Sequence, residues 1–251
     1  MIFSPSQKHL IFAALTGLVV FLLSALPAAA ETINVDFSEG FGLTERVVQI
    51  IALVTVLSLA PSILIMITSF VRIVVVLSLL RTAMGVQQSP PNSVIISLAL
   101  FLTAFIMAPV FETAYETGIE PLINEEIEMG EALSISSKPF QEFMLTQVRD
   151  KDLQLFMDLS KTPAVEEQQD IPFQVVVPAF MISELKRAFE IGFLIFVPFI
   201  VIDMIVASVL MSMGMMMLPP IIISLPFKLI FFVLVDGWHL ITGSLVQSFG
   251  T

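Results

Sequence analysis

The 251-residue chain contains no cysteine, which excludes disulfides, thiolate-bound zinc, iron–sulfur clusters and thiol catalysis. Histidine is nearly as scarce. There are two, His9 and His239, and the first lies in a segment expected to be removed, so at most one imidazole remains for a metal site or a Ser-His-Asp relay. Charged residues make up only 13% of the chain, and their balance is acidic, with a net charge of −11. A chain of that sign lacks the basic footprint that nucleic acid or an anionic lipid surface demands. No GxxxxGK[ST] loop and no strand followed by GxGxxG occurs, so no nucleotide-powered engine is encoded. The chain reads as a non-enzyme, and no cofactor is expected.

What it has in abundance is apolar sequence: 57% of residues are hydrophobic, the composition of a membrane protein. Residues 1–30 follow secretory signal logic. Lys8 and His9 precede an apolar run from Leu10 to Leu23, and Pro27 with Ala28-Ala29-Ala30 forms a small-residue cleavage site before Glu31. The competing reading, a retained first span, is barely permitted by the length of 10–26. Residues 31–46 then form the start of the mature chain on the far side of the inner membrane. Residues 47–110 form a first apolar helical region, made of Val47 to Ile67 extended by Phe70 to Leu80, and Val94 to Val110. The first of these runs carries Pro61 and Arg72 and is too long for one straight span, so a kinked helix or helical hairpin is expected. Pro90-Pro91 closes a polar turn before the next helix.

Residues 111–190 carry sixteen Asp or Glu against six Lys or Arg, and are expected to form an acidic, helical, periplasmic domain. Within it, Phe140 to Leu159 places Phe140, Phe143, Met144, Gln147, Val148, Leu155 and Leu159 near a helical spacing, with Leu153 and Phe156 broadening the apolar face. Such a stripe packs on the domain's own helices or, in the sharper reading, against a neighbouring copy. Residues 191–251 form a second apolar hairpin, Ile191 to Leu210 and Leu218 to Val235, with a turn between them rich in methionine: Met211, Met213, Met215, Met216 and Met217. Methionine is unbranched and polarizable, and a cluster of it makes an apolar surface able to re-pack around differently shaped partners. Gap-filling core or lipid-facing bulk is the plainer reading. Gly214 and Pro219-Pro220 interrupt the helix there, a geometry found where backbone lines a cavity or is buried in protein.

Several long motifs occur in one order: Arg81 to Gln88 (RTAMGVQQ), Pro178 to Leu185 (PAFMISEL) continuing to Phe193, Val197 to Asp203 (VPFIVID) running into Leu210, the methionine turn, and Leu225-Pro226-Phe227-Lys228 to Val235-Asp236-Gly237-Trp238. On these the chain closely resembles the FliP family, the SctR-type component of type III secretion export gates, over nearly all of its mature length. The resemblance implies an all-α architecture of membrane-associated helical hairpins, assembling in several copies with FliQ-like and FliR-like subunits into a closed, helical, protein-conducting gate. It further implies that the methionine turns form a ring gasket, that the core sits in the flagellar basal body largely above the bilayer plane, and that exported flagellar proteins are the passengers. Other export-apparatus proteins would supply the driving ATPase.

Two residue sets carry more specific expectations. Asp203 and Lys228 are the only ionisable residues in the last two apolar runs. Eleven residues before and fourteen after Gly214, they lie roughly 16 and 21 Å along two antiparallel helices, and so at similar depth. Opposite charges there are expected to pair. The alternative makes Asp203 the proton relay of a membrane carrier, although the chain shows no internal repeat. Phe143 and Phe156, with Glu184, are expected to serve self-association of the acidic region, and Arg149 is a candidate cation for Glu184 across copies or within one.

Overall fold

The computed structural model describes residues 43–86, 88–161, 171–215 and 217–250. The expected leader at residues 1–30, the segment 31–42 and Met216 lie outside the described residues, as does most of the 162–172 connection. Among the described residues every regular element is helical and no strand occurs. Contacts divide the chain into a unit up to Val54 and a second unit from Thr55 to Thr251. Helix α1, Leu43–Met66, continues past Pro61, and the chain breaks instead at 67–69, where the Thr68 hydroxyl donates to the Ile65 carbonyl.

In the second unit, α2 (Phe70–Ala83) is the spine. Its buried residues Arg72, Ile73, Val76, Leu77, Leu80 and Ala83 recur at helical spacing, so one continuous face is turned inward. The largest helix to meet that face is α7 (Phe173–Ser212). Arg72 meets Glu184 and, further along both helices, Leu79 meets Gly192, so the two run parallel. A Cβ on Gly192 would lie 2.3 Å from Leu79 Cδ1, so a larger residue there would require the Leu79 side chain to shift. Ile73, Val76, Leu77, Ile95, Ala99, Ile106, Ala188 and Leu245 form the core here, with Ile95, Ala99 and Ile106 supplied by α3 (Asn92–Ala114). A second core gathers Met144, Leu153, Val176 and Phe180, and a third gathers Leu80, Met84, Phe199 and Phe232.

The backbone ignores two expected domain edges. Helix α3 runs on through a π-helical turn, Tyr115–Ile119, into the short α4, Glu120–Ile123, and so passes residue 110 without a break. Likewise α7 passes residue 190, because Lys186, Arg187 and Glu190 are good helix formers and change the polarity of the surface, not the dihedral angles. At 40 residues α7 is about 60 Å long at 1.5 Å per residue, twice the hydrocarbon thickness of a bilayer. The acidic region contributes α5 (Met129–Gln147) and α6 (Asp150–Ser160). The apolar stripe expected along one helix is therefore split at Val148 and Arg149, both extended, with Asp150 and Asp152 in the first turn of α6 where the helix dipole favours acids.

Among the described residues two stretches are long and apolar enough to cross a membrane, Asn92–Ile123 and Phe173–Ser212; counting each bent helix pair as one span raises this to four. One bent pair is α8 (Pro220–Leu234) and α9 (Gly237–Gln247), which meet at 63°. At that corner Asp236 adopts a left-handed φ of 50°, and the Trp238 ring packs edge-on to Phe232 at 5.4 Å.

Candidate functional site

The methionine turn closes the α7–α8 hairpin. The amide of Met215 donates to the Leu210 carbonyl and that of Gly214 to the Met211 carbonyl, both at 3.0 Å, which is the Schellman ending of a helix. Such an ending needs a left-handed residue at Gly214, whose φ is +75°, a conformation glycine adopts without penalty. Pro219 precedes α8 and Pro220 opens it, where a missing N–H costs nothing. The result is a tip from which side chains project: Met211 and Met213 are exposed and Met217 is 98% exposed. Met215 is half-buried, and Met216 lies outside the described residues. Behind the tip, Ile202, Val206, Leu210, Ile223 and Phe227 help line a wholly apolar groove of about 430 Å³ between α7 and α8.

Below the groove the hairpin arms are joined by charge. Lys228 Nζ donates to Asp203 Oδ2 at 2.7 Å, and the Ser224 hydroxyl donates to Asp203 Oδ1. The ammonium also reaches the Ala83 carbonyl at 3.4 Å, at the C-terminus of α2 where a cation is favoured. The pair thus bridges three helices. The Lys228 side chain is 5% exposed and that of Asp203 30%.

A second buried pair lies at the other end of α2. Arg72 and Glu184 are both 0% exposed. Arg72 Nε donates to Glu184 Oε2 at 2.9 Å and Nη2 to Oε1, while Nη2 also reaches Gln147 Oε1 at 3.1 Å. Nη1 serves Ser248 twice, at its hydroxyl (3.0 Å) and its carbonyl (3.1 Å). All five guanidinium N–H donors therefore have acceptors, the condition for holding such a cation in a dry interior. The Phe249 ring covers its face at 3.7 Å.

The partner of Glu184 is thus Arg72 and not Arg149. Arg149 belongs to a local cluster: its Nε donates to Asp152 Oδ2 at 2.7 Å, its amide donates to the Ser183 hydroxyl, and that hydroxyl donates to Asp152. Phe143 is half-buried, edge-on to Phe180 and stacked on Phe249, and Phe156 packs on the core of Met144 and Phe180. Phe143 and Phe156 are therefore taken up inside the chain, since splitting the stripe between α5 and α6 folds them towards α7, while Leu155 and Leu159 stay exposed. Sequence reasoning missed Arg72, Gln147, Ser248 and Ser224. Only Arg72 left a signal, as a lone cation inside an apolar run.

The Asp152 cluster makes a pH prediction. Burial pushes the Asp152 carboxyl up, but bonds from Ser183 and Arg149 outweigh it and hold the group below the usual carboxylate range. A carboxyl depressed on folding stabilises the fold above its unfolded value of about 4 and loses that contribution as pH falls through its folded value. Asp152→Asn should lower the thermal unfolding midpoint of the detergent-solubilised chain at pH 7, and the gap should narrow below about pH 4. A gap independent of pH would contradict this assignment.

Residues 53–245 match the model of the FliP family. The chain is 63% identical to the flagellar biosynthetic protein FliP of Caulobacter vibrioides, over 97% of this chain and 91% of that one. The chain belongs to the FliP family. It is 54% identical to the flagellar biosynthetic protein FliP of Bacillus subtilis over 87% of this chain and 99% of the relative, and 55% identical to that of Rhizobium meliloti over 81% and 84%. Membership makes it a flagellar biosynthesis protein and a component of the flagellar export apparatus, working with other flagellar proteins. Its long apolar helices are consistent with the inner membrane.

Proposed function

We propose that this FliP-family chain is one of several copies, arranged with FliQ-like and FliR-like subunits, that form a closed gate for unfolded flagellar proteins, sealed by the turn from Met211 to Met217. The observation that carries the reading is the contrast along one hairpin: an unsupported tip of exposed methionines stands on arms fixed by Asp203, Ser224 and Lys228. A rigid base with a compliant tip is what a seal around a passing polypeptide requires, because thioethers shift rotamer at little cost. The apolar faces of α3, α7 and α8 are broadly exposed in the single chain, with Phe101, Phe193 and Leu234 the most exposed of each, and these supply the surface on which lipid or neighbouring subunits pack. The engagement of both Asp203 oxygens by Ser224 and Lys228 favours a structural role over proton transfer.

The test replaces Met211, Met213, Met215, Met216 and Met217 by alanine in the full chain and follows assembly and ion leakage. Preserved assembly with a leak raised several-fold is expected, since shorter side chains leave the ring open. Loss of the complex with no leak through surviving copies would overturn the seal in favour of an assembly contact.

A further inference from the structure

The segment from Glu184 to Ser248 contains the rest of α7 beyond Glu184 together with α8 and α9, and both ends of this arm are held by one guanidinium. Arg72 grips Glu184 on α7 with Nε and Nη2, and Ser248 beyond α9 with Nη1, while Phe249 lies on its face. The arm has a second attachment to the same helix, where Lys228 reaches Ala83 and Phe232 packs with Leu80 and Met84. Arg72 and Ala83 are eleven residues apart, so α2 acts as a strut about 16 Å long between the two attachments. Their environments differ. The Arg72 attachment is completely enclosed with every donor satisfied, whereas Asp203 at the other remains partly exposed.

We infer that Ser248 and Phe249, seated on Arg72, form a clasp that fixes the base of the arm to α2 and thereby holds the methionine tip in its closed position. This rests on the gate reading and adds to it a positioning role for residues far from the tip. The mechanical link is continuous. Releasing Ser248 and Phe249 frees α9, and α9 is joined to α8 through the tight corner at Asp236 and the Phe232–Trp238 contact. Motion of α9 therefore passes to Lys228, and from there to the tip. Phe249 does more than cover the arginine: it stacks on Phe143 at 6.1 Å and belongs to the core of Ile73, Leu77 and Leu245. An undocked segment would expose that core.

Absence of native cysteine makes a single introduced thiol a unique reporter. Leu245 on α9 is 1% exposed in that core, so Leu245→Cys in the full chain, purified in detergent with its export partners, should label slowly with a water-soluble maleimide. Arg72→Lys keeps the charge for Glu184 but cannot serve Ser248 as well, and should speed labelling at least tenfold while raising ion leakage per assembled complex. Where Arg72→Lys does not accumulate, Ser248→Ala with Phe249→Leu decides, because it leaves the Arg72–Glu184 pair intact. Unchanged labelling in the variant that folds would overturn the clasp, and so would faster labelling with no added leak. Failure of the gate reading shows separately, as methionine-to-alanine chains that assemble and do not leak.

Discussion

Glu184→Ala is expected to all but abolish the folded chain. Arg72 is enclosed at 0% exposure, and the substitution removes the acceptors of its Nε and one Nη2 hydrogen together with its countercharge among the described residues. What remains around the cation is Gln147, the two oxygens of Ser248 and the Phe249 ring, with a second cation, Arg187, sharing the Gln147 oxygen. Stranding a buried charge costs about 3–5 kcal/mol, a large part of the roughly 5–15 kcal/mol that holds a typical domain folded. Removing both charges should be far milder. In Arg72→Met with Glu184→Leu, Gln147 still accepts from Arg187 Nη1 at 3.1 Å, and the Ser248 hydroxyl still donates to the Leu245 carbonyl at 2.7 Å, so few polar groups are orphaned. Membrane-fraction abundance and thermal unfolding in detergent measure the series. An unfolding midpoint for Glu184→Ala equal to the parent's would show that the pair contributes nothing to the fold.

The same residues mark where sequence reading stops. Glu184 and Arg149 fall in one acidic region, where Arg149 was a candidate cation for a partly buried Glu184. Arg149, however, has Asp150 and Asp152 beside it and finds a local acceptor. Arg72 is the lone cation of an apolar run, whereas Glu184 has Lys186 and Arg187 close by in sequence, and burial brings the two together where proximity does not. The apolar company of Arg72 was the usable signal. Ser224 and Ser248 gave none, since a serine in a helical run normally bonds its own backbone and nothing in the spacing tells that it reaches a charge.

All-helical architecture was legible because the apolar runs are long and punctuated by Pro90-Pro91, Gly214 and Pro219-Pro220, and those positions do end or begin helices α3, α7 and α8. The limits at 110 and 190 were not, because they were drawn where polarity changes. Glu112, Glu116 and Glu120 alter which solvent the surface prefers, yet α3, the π turn and α4 carry the backbone straight through. Depth along the hairpin was legible for a different reason: one short turn fixes the register of its two arms, and Asp203 and Lys228 do meet.

Their substitutions should be unequal. Asp203→Ala strands Lys228, whose side chain is 5% exposed and retains only the long contact to the Ala83 carbonyl, and is expected to cost about 3–5 kcal/mol. Lys228→Met leaves Asp203 30% exposed and still bonded to the Ser224 hydroxyl, so surrounding polar groups and water relieve part of the charge and the loss should fall nearer about 1–3 kcal/mol. The double swap, Asp203→Lys with Lys228→Asp, should recover only part of export and assembly. Ser224 can turn its hydroxyl to accept from a lysine at 203, but a carboxylate at 228 would face the Ala83 carbonyl, acceptor against acceptor, and the end of α2 repels negative charge. Export and complex abundance across the three variants therefore order as swap above Lys228→Met above Asp203→Ala. Asp203→Asn separates pairing from proton transfer: its amide keeps the volume and can still accept from Ser224, so a fully working Asp203→Asn protein would remove the ion pair and the proton relay together, whereas an assembled but non-exporting one would restore the relay as the role of Asp203.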